Sequence, residues 1–190
     1  MSLNWPNLLT WGRIVLIPLL LLIYYLPESW IPDHAQNVIA TGIFAVAAVT
    51  DWLDGYLARS LKQTSSFGAF LDPVADKLMV ATALLLLVGL DHVEVFIAAI
   101  IIGREIAISA LREWMAKIGE SRSVAVSFVG KLKTTAQMIA ILLLLYHDRL
   151  GVIDTQLVGT WLIYVAAVLT LWSMAYYLRK AMPMVREAMK

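Results

Sequence analysis

The sequence predicts an all-α integral membrane bundle of six transmembrane helices with both termini in the cytoplasm, and three observations carry that expectation. Apolar residues make up 61% of the chain, and its mean hydropathy is +0.77, above the roughly 45–50% apolar share of soluble domains. The apolar residues gather into six runs, each close to the 20 or so that a helix needs to cross a bilayer core about 30 Å thick. Lys and Arg then fall on alternate connections, the pattern that fixes orientation because loops rich in them stay cytoplasmic.

The first run, Leu9–Leu26, is closed by Pro27 and Pro32. It has no basic leader and no small-residue cleavage site behind it, so it is expected to stay in the mature chain. The second, Val38–Leu57, leads into a connection carrying Arg59 and Lys62. The third, Phe70–Leu90, stops at Gly89-Leu90-Asp91, and the fourth, Val95–Met115, leads to Lys117 and Arg122. The fifth, Val124–Tyr146, ends at Asp148-Arg149-Leu150-Gly151, and the sixth, Leu157–Leu178, runs into Arg179, Lys180, Arg186 and Lys190. The opposite connections hold Glu28, Asp33, Asp91, Glu94, Asp148 and Asp154, with Arg149 their one basic residue. Tyr24, Tyr25 and Trp30 on that side, and Trp5, Trp11, Trp114, Tyr176 and Tyr177 on the cytoplasmic side, fit aromatic belts at headgroup depth. No linker, low-complexity tract or repeat divides residues 1–190, which read as a single domain.

Composition excludes several functions. A formal net charge of +1 lacks the basic excess that nucleic-acid binding requires. The absence of cysteine removes thiolate catalysis, disulfides and thiolate-ligated metals. A metal site here must be built from oxygen or imidazole.

Against the apolar background, four carboxylates stand out: Asp51, Asp54, Asp72 and Asp76. An ionisable residue at the bilayer centre costs about 2.5–3.5 kcal/mol on insertion scales, and such residues ordinarily face polar cavities and mark function. On helices, Asp51 and Asp54 fall about 60° apart, and Asp72 and Asp76 about 40° apart. Two antiparallel helices joined by a short connection bring the pairs to similar depth. Clustered carboxylates repel one another unless cations neutralise them, and hard oxygen ligands select Mg²⁺, Mn²⁺ or Ca²⁺. Two such ions can clamp a transferring phosphoryl group. Gly55 and Ala58 leave the adjoining surface open to a ligand. The plainer alternative is that the aspartates pair with Arg59, Lys77 and Arg104 to hold the bundle together. Pro73 is expected in the first turn of the third helix, where its missing N–H is harmless.

The acidic stretch resembles the signature of the CDP-alcohol phosphatidyltransferase family, D-x2-D-G-x2-A-R-x8-G-x3-D-x3-D. Every fixed position is present: Asp51, Asp54, Gly55, Ala58, Arg59, Gly68, Asp72 and Asp76. Within the family the likeness is to the bacterial branch whose acceptor is a glycerol phosphate. It is carried by Pro6-Asn7-Leu-Leu-Thr10-Trp-Gly-Arg13, by Arg104-Glu105-x6-Leu111-Arg112 and by Gly130-Lys131-Leu-Lys133-Thr134-Thr135. The resemblance implies a six-span membrane enzyme, a homodimer embedded in membrane lipid. It would transfer the phosphatidyl group of CDP-diacylglycerol to sn-glycerol 3-phosphate and release CMP, at the cytoplasmic face of the bacterial inner membrane. It also implies Mg²⁺ or Mn²⁺, two ions, held by Asp51, Asp54, Asp72 and Asp76. Asp76 would double as the general base, while Asp51, Asp54, Gly55, Ala58, Arg59 and Gly68 contact the CDP-lipid.

Elementary charge reasoning bears on the acceptor. A phosphate dianion needs fixed cations, and Arg104, Arg112, Lys131 and Lys133 supply them, whereas an uncharged alcohol such as choline would not call for them. Arg104 near mid-membrane needs a partner, which can be Glu105, an aspartate or substrate. Arg13 reads as a cytoplasmic anchor as readily as a diphosphate contact and is not assigned to the site. His34, His92 and His147 all fall in loops on the predicted outer side, which leaves a carboxylate as base. Alternatives are the same chemistry with serine, inositol phosphate or phosphatidylglycerol as acceptor, a prenyltransferase, or a divalent-cation transporter. The prenyltransferases have more spans and lack the glycine–alanine–arginine element. A transport path would need polar residues through the outer halves, which are apolar.

Overall fold

The computed structural model describes residues 5–61, 66–117 and 128–188. They form six helices: α1 (Trp5–Tyr25), α2 (Asp33–Leu61), α3 (Ser66–Gly89), α4 (Val95–Lys117), α5 (Phe128–Tyr146) and α6 (Thr155–Ala188). Among the described residues there is no strand, only an isolated bridge between Leu150 and Ile153. The predicted start of the fifth run, Val124, lies outside the described residues, as do Lys62, Arg122 and Lys190.

The helices follow the apolar runs, but α1, α2, α3 and α6 begin before theirs and α2, α4 and α6 end after theirs, because caps as well as hydrophobicity set helix ends. Asp33 opens α2, where its charge meets the partial positive charge of a helix N-terminus. Asp154 caps α6, its Oδ1 accepting the Leu157 N–H at 3.0 Å. At the end of α3 the His92 N–H reaches back to the Leu87 carbonyl at 2.9 Å, and Asp91 adopts φ 58°. His147 takes the same left-handed φ just after α5, a conformation that closes helix C-termini. Pro73 differs from expectation. Because α3 begins at Ser66, the proline lies inside the helix and removes the bond that residue 73 would give the Ala69 carbonyl.

α1 packs on α2 and α3, α2 on α5, α4 on α6 and α3, and α5 runs along α6. The buried seam holds Leu20, Phe44, Leu84, Leu87, Ile101, Ile141, Leu144 and Ile163. Ala40, Ala47, Ala83, Ala140 and Ala167 interleave with them, small residues that let helix backbones approach when lipid supplies no hydrophobic drive. Gly159 shows how close: a Cβ there would stand 2.8 Å from Leu144 Cγ. The outer surface is apolar, with Val15, Leu22, Val49, Leu85, Phe96, Trp161 and Trp172 all exposed, far more than a monomer in water normally shows.

Among the described residues, three helices are long and apolar enough to cross a membrane: Leu8–Tyr25, Asp33–Leu53 and Thr155–Pro183. α5 contributes a shorter apolar stretch, Leu132–Tyr146. The other two helices carry the charges that matter: Asp72, Asp76 and Lys77 on α3, and Arg104, Glu105, Arg112 and Glu113 on α4. Tyr177 departs from the aromatic-belt expectation. It is buried between α4 and α6, while neighbouring Tyr176 is exposed. Adjacent residues on a helix point about 100° apart, so only one of the pair can face outward.

Candidate active site

Three elements bring the acidic group together. Asp51 comes from α2 and Asp72 and Asp76 from α3, one helical turn apart, and α1 supplies Arg13 from the side. One carboxylate oxygen from each aspartate lies within 4.8 Å of the others, so the convergence expected from spacing is real for these three. Arg13 is 1% exposed, and its Nη1 donates to Asp51 Oδ1 at 3.1 Å, to Asp72 Oδ1 at 3.3 Å and to Asp76 Oδ1. The aspartate side chains keep 37–41% of their surface open, so the cluster is walled on the Arg13 side and accessible on the other. Gly68 lies half-buried on α3 nearby in sequence. The side chains of Asp54, Gly55, Ala58, Arg59 and Lys131 lie outside the described residues.

A second polar group adjoins the first. A cavity of about 530 Å³ is lined by Asp76 and Lys77 of α3, by Arg104, Glu105 and Arg112 of α4, and by Gln137 of α5. Glu105 is its hub. Its Oε1 accepts from Arg104 Nη1 at 2.9 Å and from Lys133 Nζ. Arg104 also donates to Ser173 Oγ at 3.0 Å. Arg112 donates to the Tyr177 hydroxyl at 3.3 Å, and its guanidinium lies 5.3 Å from the centre of that ring. Arg104 sits over the same ring at 5.9 Å, so one tyrosine orients both guanidiniums through its face and its hydroxyl. Of the open partners for Arg104, the structure selects Glu105. Lys133 is 2% exposed, and a lysine buried to that degree requires such a carboxylate.

Sequence reasoning left Arg13, Glu105, Ser173 and Tyr177 outside the site. Arg13 and Glu105 carried a usable signal, since an ionisable residue in an apolar run needs a partner. Ser173 and Tyr177 carried none, because either would sit equally well on a lipid-facing stripe.

The histidines gather at the other end of the bundle. His34 lies in the first turn of α2 and not in a loop, about 25 Å along that helix from Asp51. His34 Nδ1 bonds Asp148 Oδ2 at 2.6 Å, and His92 stacks on His147 with ring centres 3.6 Å apart. His92 donates through Nδ1 to the Leu144 carbonyl at 3.1 Å. Burial, and then the neighbouring His147, hold His92 below the ordinary imidazole value. None of the three belongs to the aspartate group.

Known proteins extend this picture. The profile of the family described as CDP-alcohol phosphatidyltransferase matches residues 3–172. Curated relatives from Shigella flexneri serotype 5b, Escherichia coli K12 and Salmonella choleraesuis are 53%, 52% and 51% identical to this chain over 183 residues. Each alignment covers 95% of this chain and 96% of the relative. All three relatives are named CDP-diacylglycerol–glycerol-3-phosphate 3-phosphatidyltransferase. With the profile spanning most of its length and three of the four aspartates of its signature converging in space, the chain belongs to the CDP-alcohol phosphatidyltransferase family.

Proposed function

We propose that this protein transfers the phosphatidyl group of CDP-diacylglycerol to sn-glycerol 3-phosphate, yielding phosphatidylglycerol phosphate and CMP for phospholipid biosynthesis. The observation that carries this reading is the shared cavity, in which Asp76 of the acidic group faces the guanidiniums of Arg104 and Arg112. A base and a phosphate-binding pair then flank one substrate. The names of the relatives point to the same donor and acceptor.

Three carboxylate oxygens within 4.8 Å of one another fit a hard divalent cation, Mg²⁺ or Mn²⁺. Asp51, Asp72 and Asp76 would hold it, with Asp54 as a further ligand and a second ion as the family resemblance implies. Bound there, the ions neutralise the diphosphate and make its phosphorus more electrophilic. The residues do the rest. Arg112, Arg104, Lys131 and Lys133 anchor the acceptor's phosphate, and Asp76 accepts the proton of its C1 hydroxyl. The freed oxygen attacks the phosphorus bearing diacylglycerol, the bond from that phosphorus to the CMP oxygen breaks, and CMP leaves. Arg59 offsets the charge that develops on CMP. Gly55, Ala58 and Gly68 leave room for the ribose and cytosine.

The six helices are read as six spans. Asp76, Arg104 and Glu105 gather around the polar cavity between α3 and α4, and the Lys- and Arg-rich connections favour both termini and the active site on the cytoplasmic side of a bacterial plasma membrane. A homodimer within that lipid is the assembly the family suggests. Incubating the purified protein with CDP-diacylglycerol, Mg²⁺ and a panel of alcohols tests the acceptor. Glycerol 3-phosphate is expected to release CMP, with serine, inositol phosphate and phosphatidylglycerol giving background. Faster CMP release with any of those three would replace it.

A further inference from the structure

Among the described residues, Arg13 is one of the largest fully buried side chains, and it is charged. One of its nitrogens touches Asp51, Asp72 and Asp76 together, the same three residues whose oxygens converge within 4.8 Å. The guanidinium nitrogen therefore sits at the point where those oxygens meet. A small hard cation needs the same oxygens at about 2.0–2.1 Å, well inside an N–H···O⁻ distance of about 2.7–2.9 Å. The two cannot share the position.

We propose that Arg13 is a built-in counter-ion of the aspartate cluster. It competes with the divalent cation for these three carboxylates and passes to the diphosphate of the CDP-lipid when the cation is in place. The proposal rests on the reading of the aspartates as the metal site. Its physical basis is charge. Three carboxylates this close repel one another, and a guanidinium among them relieves that repulsion. Arginine does not lose its proton, so once displaced it must find another anion nearby. A diphosphate matches its planar fork. Cation and diphosphate then favour each other's binding through one side chain, and linkage makes that effect reciprocal. A fixed arginine also keeps the aspartates at binding distance while the site is unloaded.

Mn²⁺ titration of the full-length protein in detergent, followed by electron paramagnetic resonance with and without CDP, tests this. Wild type is expected to bind Mn²⁺ weakly alone and about tenfold more tightly with CDP, within the usual range of coupling between sites. Arg13→Gln is expected to bind Mn²⁺ alone about tenfold more tightly than wild type, and CDP should then add less than about threefold. Arg13→Lys, which keeps the charge but not the fork, should fall between them. Thermal unfolding guards against a folding defect: Arg13→Gln should melt below wild type in chelator and recover with Mn²⁺. Equal or weaker Mn²⁺ binding by Arg13→Gln overturns the counter-ion role, and an undiminished CDP effect overturns the coupling. If neither wild type nor variant binds Mn²⁺, the aspartate metal site itself falls, and the proposal with it.

Discussion

The two ends of this bundle are both polar and both hold a cavity, but their polar groups are partnered in different ways. At the histidine end, bonds run from helix starts to the connections: His34 to Asp148, the Gln36 amide to the carbonyls of Leu26 and Ile31, and Thr155 to the Asp148 carbonyl. Those bonds fasten the first turn of α2 to the α1–α2 and α5–α6 connections, beside a cavity of about 680 Å³ lined by His34, His92, His147 and Asp148. At the aspartate end, three carboxylates from two helices converge on a single buried guanidinium, and Lys77 of α3 with Arg104 and Arg112 of α4 line an adjoining cavity. Charge is concentrated there and is not paired off residue by residue. Polar groups bonded one to one hold connections together, whereas an excess of like charge at one point calls for a charged ligand.

The contrast can be broken most sharply by Asp76→Asn. Loss of a general base lowers turnover by about a thousandfold, and the folded variant should still bind CDP. Normal CMP release by Asp76→Asn would remove the base assignment. Next in size is Glu105→Ala, which leaves Arg104 and Lys133 buried without their shared carboxylate. Breaking a buried charge pair from one side costs about 3–5 kcal/mol, so a clear drop in melting temperature is expected, and an unchanged one would refute the hub role. Arg112→Ala should raise KM for glycerol 3-phosphate about tenfold, the loss of one charge-assisted contact. KM for CDP-diacylglycerol should barely move, and equal effects on both would count against an acceptor role.

The smallest effect belongs to the histidine end. His92 has its folded value lowered, first by burial and then by His147. The folded state therefore binds fewer protons than the unfolded one over that range. Its contribution to stability is present above the ordinary value of 6.5 and is lost as pH falls through the lower folded value. Melting temperature should decline between neutral pH and about pH 5, and His92→Gln should flatten the decline. An identical slope in the variant would show that other groups govern it.

These contrasts also show how much the sequence disclosed. Six helices, their order and the meeting of Asp51 with Asp72 and Asp76 were legible, because apolar runs report burial in lipid and a carboxylate in such a run is too costly to be idle. That Arg104 needs a partner was legible for the same reason, with Glu105 among the candidates. What escaped was partnership across helices. Arg13 stands 38 residues from Asp51 and 63 from Asp76, and no local pattern announces such a contact. Tyr177 was placed at the membrane interface because a tyrosine near a helix end has two good positions, and only packing against α4 chooses between them. Pro73 was misplaced because α3 starts a turn before its apolar run does.

The central claim is that phosphatidyl transfer happens at the aspartate end and nowhere near the histidine end. CMP release from CDP-diacylglycerol and glycerol 3-phosphate with Mg²⁺, measured side by side for Asp72→Asn and for a triple His34→Ala, His92→Ala, His147→Ala variant, tests it directly. The account predicts activity lost in the aspartate variant and retained within about twofold in the triple histidine variant once both are shown folded. Activity surviving in Asp72→Asn and vanishing in the triple variant would contradict it.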